Sequence, residues 1–196
     1  MSPTVETGIT GLTLAWIYAL PEDKVRREII DGKLFVSPGP LLKHQRVAYQ
    51  ISLQLDAYAA AHGGLMLPEY NNDYSDSTHV EPDAGFLLPG HYDRLSKMGV
   101  AGAPDLVIEV SSPSTRSHDR IRKRALYERE GVPEFWFVDL DHERFEVSRL
   151  VDGRYGPPLV VGRGETLTSD LLPGLAIDVA EVLTLPEPMR SAGNGP

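Results

Sequence analysis

The chain has 196 residues, 28 of them acidic and 19 basic, for a formal net charge of −9, and 41% of it is hydrophobic. It contains no cysteine, which excludes disulfides, thiolate metal sites and a cysteine nucleophile, and which fits a cytoplasmic protein. The acidic balance argues against nonspecific coating of nucleic acid, which needs Lys and Arg against phosphate, but leaves room for a site whose carboxylates hold a cation.

The length suits one domain with a sizeable core. No apolar run reaches the roughly 18 residues of a membrane span, and the first residues lack the basic and apolar segments of a secretory signal. Residues 1–9 read as a disordered lead. Residues 12–20 predict a short apolar helix stopped by Pro21. Val25–Ile30 and Lys33–Ser37 flank Asp31-Gly32, a type I′ hairpin signal. After Pro38-Gly39-Pro40, a helix is expected from Leu41 to about His62, because Val47, Ile51, Leu55 and Tyr58 recur at helical spacing and Gly63-Gly64 ends the pattern.

Residues 65–70 and 80–88 read as strands separated by a polar turn at 71–76, and 89–103 as a loop with a helical turn. Strand 105–111, turn Ser112–Thr115, helix 118–130 and strand 134–138 follow, a strand–helix–strand unit expected to cross over right-handed. Residues 143–150 and 158–162 predict peripheral antiparallel strands, and 186–196 a disordered polar tail. The succession predicts one α/β domain over residues 10–185, a mixed sheet flanked by helices.

Glu109 is the anomaly in this pattern. Its strand, Leu106-Val107-Ile108-Glu109-Val110, is apolar on both faces, as in the middle of a covered sheet. An ionised carboxylate there costs several kcal/mol unless it is paired or binds a metal. Asp83, after Pro82 at the mouth of another apolar strand, supplies a second acid, and two carboxylates on neighbouring strands are the minimum for a hard divalent cation. Asp105 also follows a proline, but it lies about 13 Å along the strand from Glu109. Helix 118–130 carries Arg120, Lys123 and Tyr127 along one stripe that starts near the carboxyl end of the Glu109 strand.

The motifs Pro82-Asp83, Pro104-Asp105-Leu106-Val107-Ile108-Glu109-Val110 with Ser112-Pro113-Ser114-Thr115, Lys123-x-x-x-Tyr127 and Gly131-Val132-Pro133-Glu134-Phe135-Trp136-Phe137-Val138-Asp139 resemble the restriction-endonuclease family of the Uma-two type, within the PD-(D/E)XK nuclease superfamily. Arg27-Glu28-Ile29-Ile30-Asp31-Gly32-Lys33-Leu34, Pro40-x-x-x-His44 and Leu171-Leu172-Pro173-Gly174-Leu175 extend the resemblance to roughly residues 12–185. It implies a restriction-endonuclease-like core in which Asp83, Glu109 and the backbone carbonyl of Val110 bind Mg²⁺ or Mn²⁺. Ser111 stands where the superfamily motif has its lysine, and the resemblance assigns that role to Lys123. Glu28 would complete or orient the metal site, and His44 would face the same cleft. Arg120 would touch phosphate, and Tyr127 would position Lys123 or pack beneath it.

The expected function is a Mg²⁺- or Mn²⁺-dependent endonuclease with DNA as substrate. A homodimer is a natural arrangement, since two strands call for two sites and most soluble oligomers are two-fold. Blander readings stand beside this one. Asp83 is also a reasonable turn acid, Glu109 a buried acid neutralised by an arginine such as Arg120 or Arg27, Glu28 a solvent-facing acid, and His44 a helix-capping residue. A nuclease-fold module that binds or interacts without cutting, and a hydrolase of small phosphoesters, are the competing functions.

Overall fold

A computed structural model describes residues 4–21, 23, 25–111 and 116–192. In chain order it forms β1 (Val5–Glu6), α1 (Leu14–Tyr18), β2 (Arg26–Ile30), β3 (Lys33–Ser37) and α2 (Leu42–His62). Then come β4 (Leu65–Pro68), β5 (Asn72–Ser75), β6 (Thr78–Val80), β7 (Ala84–Leu87), a 3₁₀ turn at Tyr92–Arg94 and β8 (Val100–Ala101). The centre follows with β9 (Leu106–Val110), α3 (Arg116–Arg129) and β10 (Glu134–Asp139). The chain closes with β11 (Arg144–Val151), β12 (Arg154–Tyr155), β13 (Leu159–Gly162), β14 (Thr166–Thr168), β15 (Ala176–Asp178), α4 (Val179–Leu183) and α5 (Glu187–Ala192).

The main sheet has the order β12-β11-β10-β9-β7-β4, with β13 also on β11. Only β9 and β10 among its neighbours run parallel, Leu106 facing Glu134 and Val110 facing Val138, and α3 connects them. Alternation along β9 sends Leu106, Ile108 and Val110 into a core shared with Val47, Ile51 and Leu55 of α2. Val107 packs on the other face with Leu126 and Tyr127 of α3 and with Phe135 and Phe137 of β10. The sheet is thus covered on both sides, as the two-sided apolarity of β9 requires. Leu172, Leu175, Ile177, Val179 and Val182 join the α2 core, so the C-terminal elements belong to the same domain.

A second sheet, β1-β3-β2-β6-β5-β8, packs beside the first. Its β2–β3 hairpin turns through Asp31 (φ 52°) and Gly32 (φ 74°), the two positive angles that a type I′ turn needs. The expected strand 80–88 is divided between the sheets: β6 belongs to the second, β7 to the first, and Glu81-Pro82-Asp83 carries the chain across. Glu81-Pro82-Asp83 interrupts the apolar run, and its proline, which cannot donate to a ladder, is the mark of the division in the sequence.

Three expectations are corrected. The lead 1–9 is ordered at Val5-Glu6, which pair with Val36 and Phe35, and Thr7 and Ile9 continue the backbone bonding to Leu34. The free edge of β3 supplies these bonds, which a polar composition does not reveal. Within the tail 186–196, Glu187–Ala192 is helical. Within 71–76, Asn72–Ser75 is a strand, tied down where the buried Asn72 amide donates to the carbonyls of Val100 (3.3 Å) and Gly102 (2.8 Å). The turn expected at Ser112–Thr115 lies outside the described residues. Among the described residues no helix is long and apolar enough to cross a membrane.

The second sheet has its own buried polar knot. His79 Nδ1 lies 2.7 Å from Asp73 Oδ1, Tyr18 donates to Asp73 Oδ2 at 2.6 Å, and Glu81 Oε1 is 3.9 Å from His79 Nε2. Burial lowers the His79 pKa, but bonding to Asp73 and Glu81 outweighs it and lifts the value to about 9. A raised folded pKa gives stability that is complete below the unfolded value near 6.5 and is lost as pH climbs through about 9. Denaturant unfolding is therefore expected to show a loss on the order of 3 kcal/mol between pH 6 and pH 10. His79→Asn should flatten that profile over the same range.

Candidate active site

Glu109 is the fourth residue of β9, and strand alternation turns it toward α3. Lys123 and Tyr127 lie one helical turn apart on α3 and reach the same carboxylate oxygen. Lys123 Nζ donates to Glu109 Oε1 at 3.0 Å and Tyr127 OH donates to it at 2.5 Å. Lys123 also donates to Glu28 Oε1, which accepts in addition from the Glu81 amide at 3.1 Å. Glu28 enters from β2, the strand that hydrogen-bonds to β6 just before the crossing at 81–83.

Asp83 sits at that crossing, immediately before β7. Its Oδ2 accepts from the Val110 amide at 2.7 Å and lies 3.1 Å from His44 Nε2 on the first turn of α2. Its Oδ1 accepts from Arg26 Nη1 at 2.8 Å. Arg26 Nη2 lies 3.8 Å from Glu109 Oε2 and 3.9 Å from Glu28 Oε1, so one guanidinium faces all three acids. Asp83, Glu109, Glu28, Lys123 and His44 are all at least nine-tenths buried.

The structure therefore brings Asp83, Glu109, Lys123, Glu28, His44 and Tyr127 together, with the Val110 backbone contributing its amide. Arg120 is elsewhere. It pairs with Glu146 Oε2 at 2.7 Å and its guanidinium lies over the Phe137 ring, in a groove shared with Arg124, Ser148 and Tyr155. The physical reason is that Glu146 is a buried carboxylate that needs cationic partners, and Arg120 and Arg144 provide them. Ser111 is tied to β10's end, its hydroxyl accepting from the Leu140 amide at 2.9 Å. Asp105 closes the 88–103 loop by accepting from the Leu88 amide and His91, away from the cluster.

The residue that sequence reasoning missed is Arg26. The alternative reading of Glu109 as a buried, neutralised acid names Arg120 or Arg27 as its partner. Arg27 instead pairs with Asp23 at 2.7 Å. Strand alternation carried the signal: Arg26 stands two residues before Glu28 and shares its face, whereas Arg27 points the other way.

Charge is finely set here. Burial pushes the Glu109 pKa up and the neighbouring Asp83 and Glu28 add to it, while Lys123 and Arg26 oppose; the net direction is upward. Burial also works against Glu28 and Asp83, but Lys123 and Arg26 hold Glu28 below its usual value, and Arg26 and His44 do the same for Asp83. Burial lowers Lys123, but Glu109 and Glu28 more than compensate and keep it an ammonium.

The donors suit a hard divalent ion, all being carboxylate oxygens. Glu109 Oε1 is saturated by Lys123 and Tyr127, whereas Oε2 makes only the long contact to Arg26 among the described residues. No three His, Asp or Glu side chains form a ready cage among the described residues, and the Arg26 guanidinium contacts both Asp83 and Glu109. A groove of about 360 Å³ leads out from Asp83 and His44 along Ala48, Tyr49 and Ser52 of α2 to Met66 of β4.

Comparison with known proteins agrees with this picture at the level of fold and family. A crystal structure described as "a putative nuclease belonging to DUF820", from Anabaena variabilis, matches with a TM-score of 0.74 at 20% sequence identity, over 88% of this chain and 99% of that one. The molecule is thus a single-domain mixed α/β protein that shares its fold with that protein. The family Uma2, described as "Putative restriction endonuclease", matches residues 15–180, and the chain belongs to it. No curated protein matches the chain.

Proposed function

We propose that this protein is a metal-dependent endonuclease that hydrolyses phosphodiester bonds in DNA. The observation that carries this reading is the convergence of Asp83, Glu109 and Lys123 from three separate elements onto one buried point. Such a convergence is costly to stability and has a use in phosphoryl chemistry. Asp83, Glu109 and the Val110 carbonyl would hold Mg²⁺ or Mn²⁺, which when bound supplies an activated water and a clamp on a phosphate oxygen.

The chain's own groups do the rest. Lys123 places a fixed positive charge beside Glu109, where it orients a water or stabilises developing negative charge on phosphate. Tyr127 fixes the rotation of the Glu109 carboxylate so that Oε2 is presented toward Arg26. His44 is oriented by Asp83, and its Nδ1 is buried without a partner among the described residues. Glu28 holds the other side of Lys123.

Tyr127→Phe removes one donor to Glu109 while keeping the ring that packs in the core. It is expected to lower kcat about 10- to 100-fold with KM little changed, as for other groups that orient metal-binding carboxylates. Unchanged kcat would contradict the positioning role.

A second reading is a nuclease-fold module that binds nucleic acid without cutting. The guanidinium between the two carboxylates favours it. Supercoiled plasmid and bis(p-nitrophenyl) phosphate, each with Mg²⁺ or Mn²⁺, separate the alternatives. The proposed endonuclease nicks the plasmid. Hydrolysis of the small diester with intact plasmid points to a small-phosphoester enzyme, and plasmid binding without nicking points to the module.

A further inference from the structure

We propose that Arg26 is a built-in counter-cation, seated where the divalent ion belongs, and that the ion enters only by displacing it. This rests on the reading of Asp83 and Glu109 as metal-binding carboxylates, and it makes metal loading a competition inside the protein. Arg26 Nη1 is 2.8 Å from Asp83 Oδ1, and Nη2 is 3.8 Å from Glu109 Oε2, so the planar fork bridges the two oxygens that an ion would share.

The contacts separate Arg26 from Lys123. Lys123 is bonded at hydrogen-bond distance to both Glu28 and Glu109, and the tyrosine beside it locks the same oxygen. Arg26 makes one contact of hydrogen-bond length and two near 4 Å, to Glu109 and Glu28. It is held in place mostly by charge. Its side chain is 14% exposed, against 6% for Lys123, so it lies nearer solvent. The β2 backbone need not move, because Arg26 is paired with Ser37 of β3 and only its side chain must turn.

Charge gives the direction of exchange. Asp83, Glu109 and Glu28 bring three negative charges, and Lys123 and Arg26 two positive ones, leaving the cluster one short before His44 is counted. Replacing a single charge by a divalent ion removes that deficit. The ion therefore gains from the carboxylates more than Arg26 does, yet must first overcome the Arg26 contact. The expected consequences are metal affinity weaker than the donor set alone would give, and a metal-free fold that does not depend on an ion to neutralise its buried acids.

The test is titration of Mn²⁺ into the native protein and into Arg26→Gln, reading free Mn²⁺ by electron paramagnetic resonance, with melting temperatures recorded alongside. Arg26→Gln should bind Mn²⁺ more tightly, on the order of tenfold, because an opposing charge at this range acts well above thermal energy. It should melt lower than the native protein without metal and gain more from saturating Mn²⁺. Crystals of the native protein grown with Mn²⁺ provide a check independent of the variant, and should show the Arg26–Asp83 bond broken. Equal or weaker Mn²⁺ binding by Arg26→Gln, or an intact bond beside bound Mn²⁺, overturns the competition while leaving the metal site standing. Absence of Mn²⁺ binding in both proteins, or binding unaffected by Asp83→Asn, overturns the metal reading itself.

Discussion

Lys123→Met is expected to cost about 3–5 kcal/mol of stability at neutral pH, the range for stranding a buried charge by removing its partner. It should also lower cutting by roughly three orders of magnitude, as loss of a preorganised charge at a phosphoryl centre does. Methionine keeps most of the stem that packs beneath the site, so the change isolates the ammonium. Glu28 and Glu109 then keep their bonds from the Glu81 amide and from Tyr127, but the long contacts to Arg26 are their only remaining cationic ones among the described residues. The pH dependence follows from the direction of the Glu28 shift. In the native protein its pKa is held down against burial by Lys123 and Arg26, so it adds stability above the unfolded value near 4.5 that is lost as pH falls. Without Lys123 that contribution disappears, one carboxyl takes up a proton more readily, and the deficit of the variant should shrink toward pH 5. Urea unfolding at pH 7 and pH 5 checks this. A deficit of the same size at both would mean that packing, not charge, accounts for the loss.

Glu109→Gln separates function from folding in the opposite way. The amide oxygen can still accept from Lys123 and Tyr127, and one of three crowded negative charges is gone. Stability should stay within about 1 kcal/mol of the native protein or rise, the usual outcome when a strained functional group is neutralised. Metal-dependent cutting should nevertheless fall by roughly three orders of magnitude, because a neutral amide is a poor ligand for a hard ion. Thermal melts and cutting rates on one preparation test both halves. A variant that cuts at near-native rate would remove Glu109 from the chemistry.

The two-sided apolarity of β9 was enough to single out Glu109, because a covered central strand leaves a carboxylate no solvent. The strand–helix–strand unit and the spacing of Lys123 and Tyr127 were likewise visible as periodicity. What periodicity could not show was which sheet a strand joins: Glu81-Pro82-Asp83 interrupts residues 78–88, but nothing in the pattern says that the two halves enter different sheets, and that division is what sets Asp83 beside Val110. Arginine partners were the other gap. Arg120 follows the buried Glu146 on β11, and Arg26 rather than Arg27 reaches the acids. Long side chains choose among charges brought close by tertiary structure, and only alternation along β2 pointed to Arg26. The ordered lead at Val5-Glu6 was hidden for a similar reason, since its bonds come from the edge of β3 and not from its own composition.

The central claim is that Asp83, Glu109 and Lys123 form a metal-dependent phosphodiesterase site. The most direct measurement is a nicking time course on supercoiled plasmid, run in parallel with native protein and Glu109→Ala, in Mg²⁺, in Mn²⁺ and in chelator. The native protein should nick with either ion and not in chelator, and Glu109→Ala should not nick above background. Equal nicking by the two proteins, or no nicking by the native protein with either ion, would contradict it.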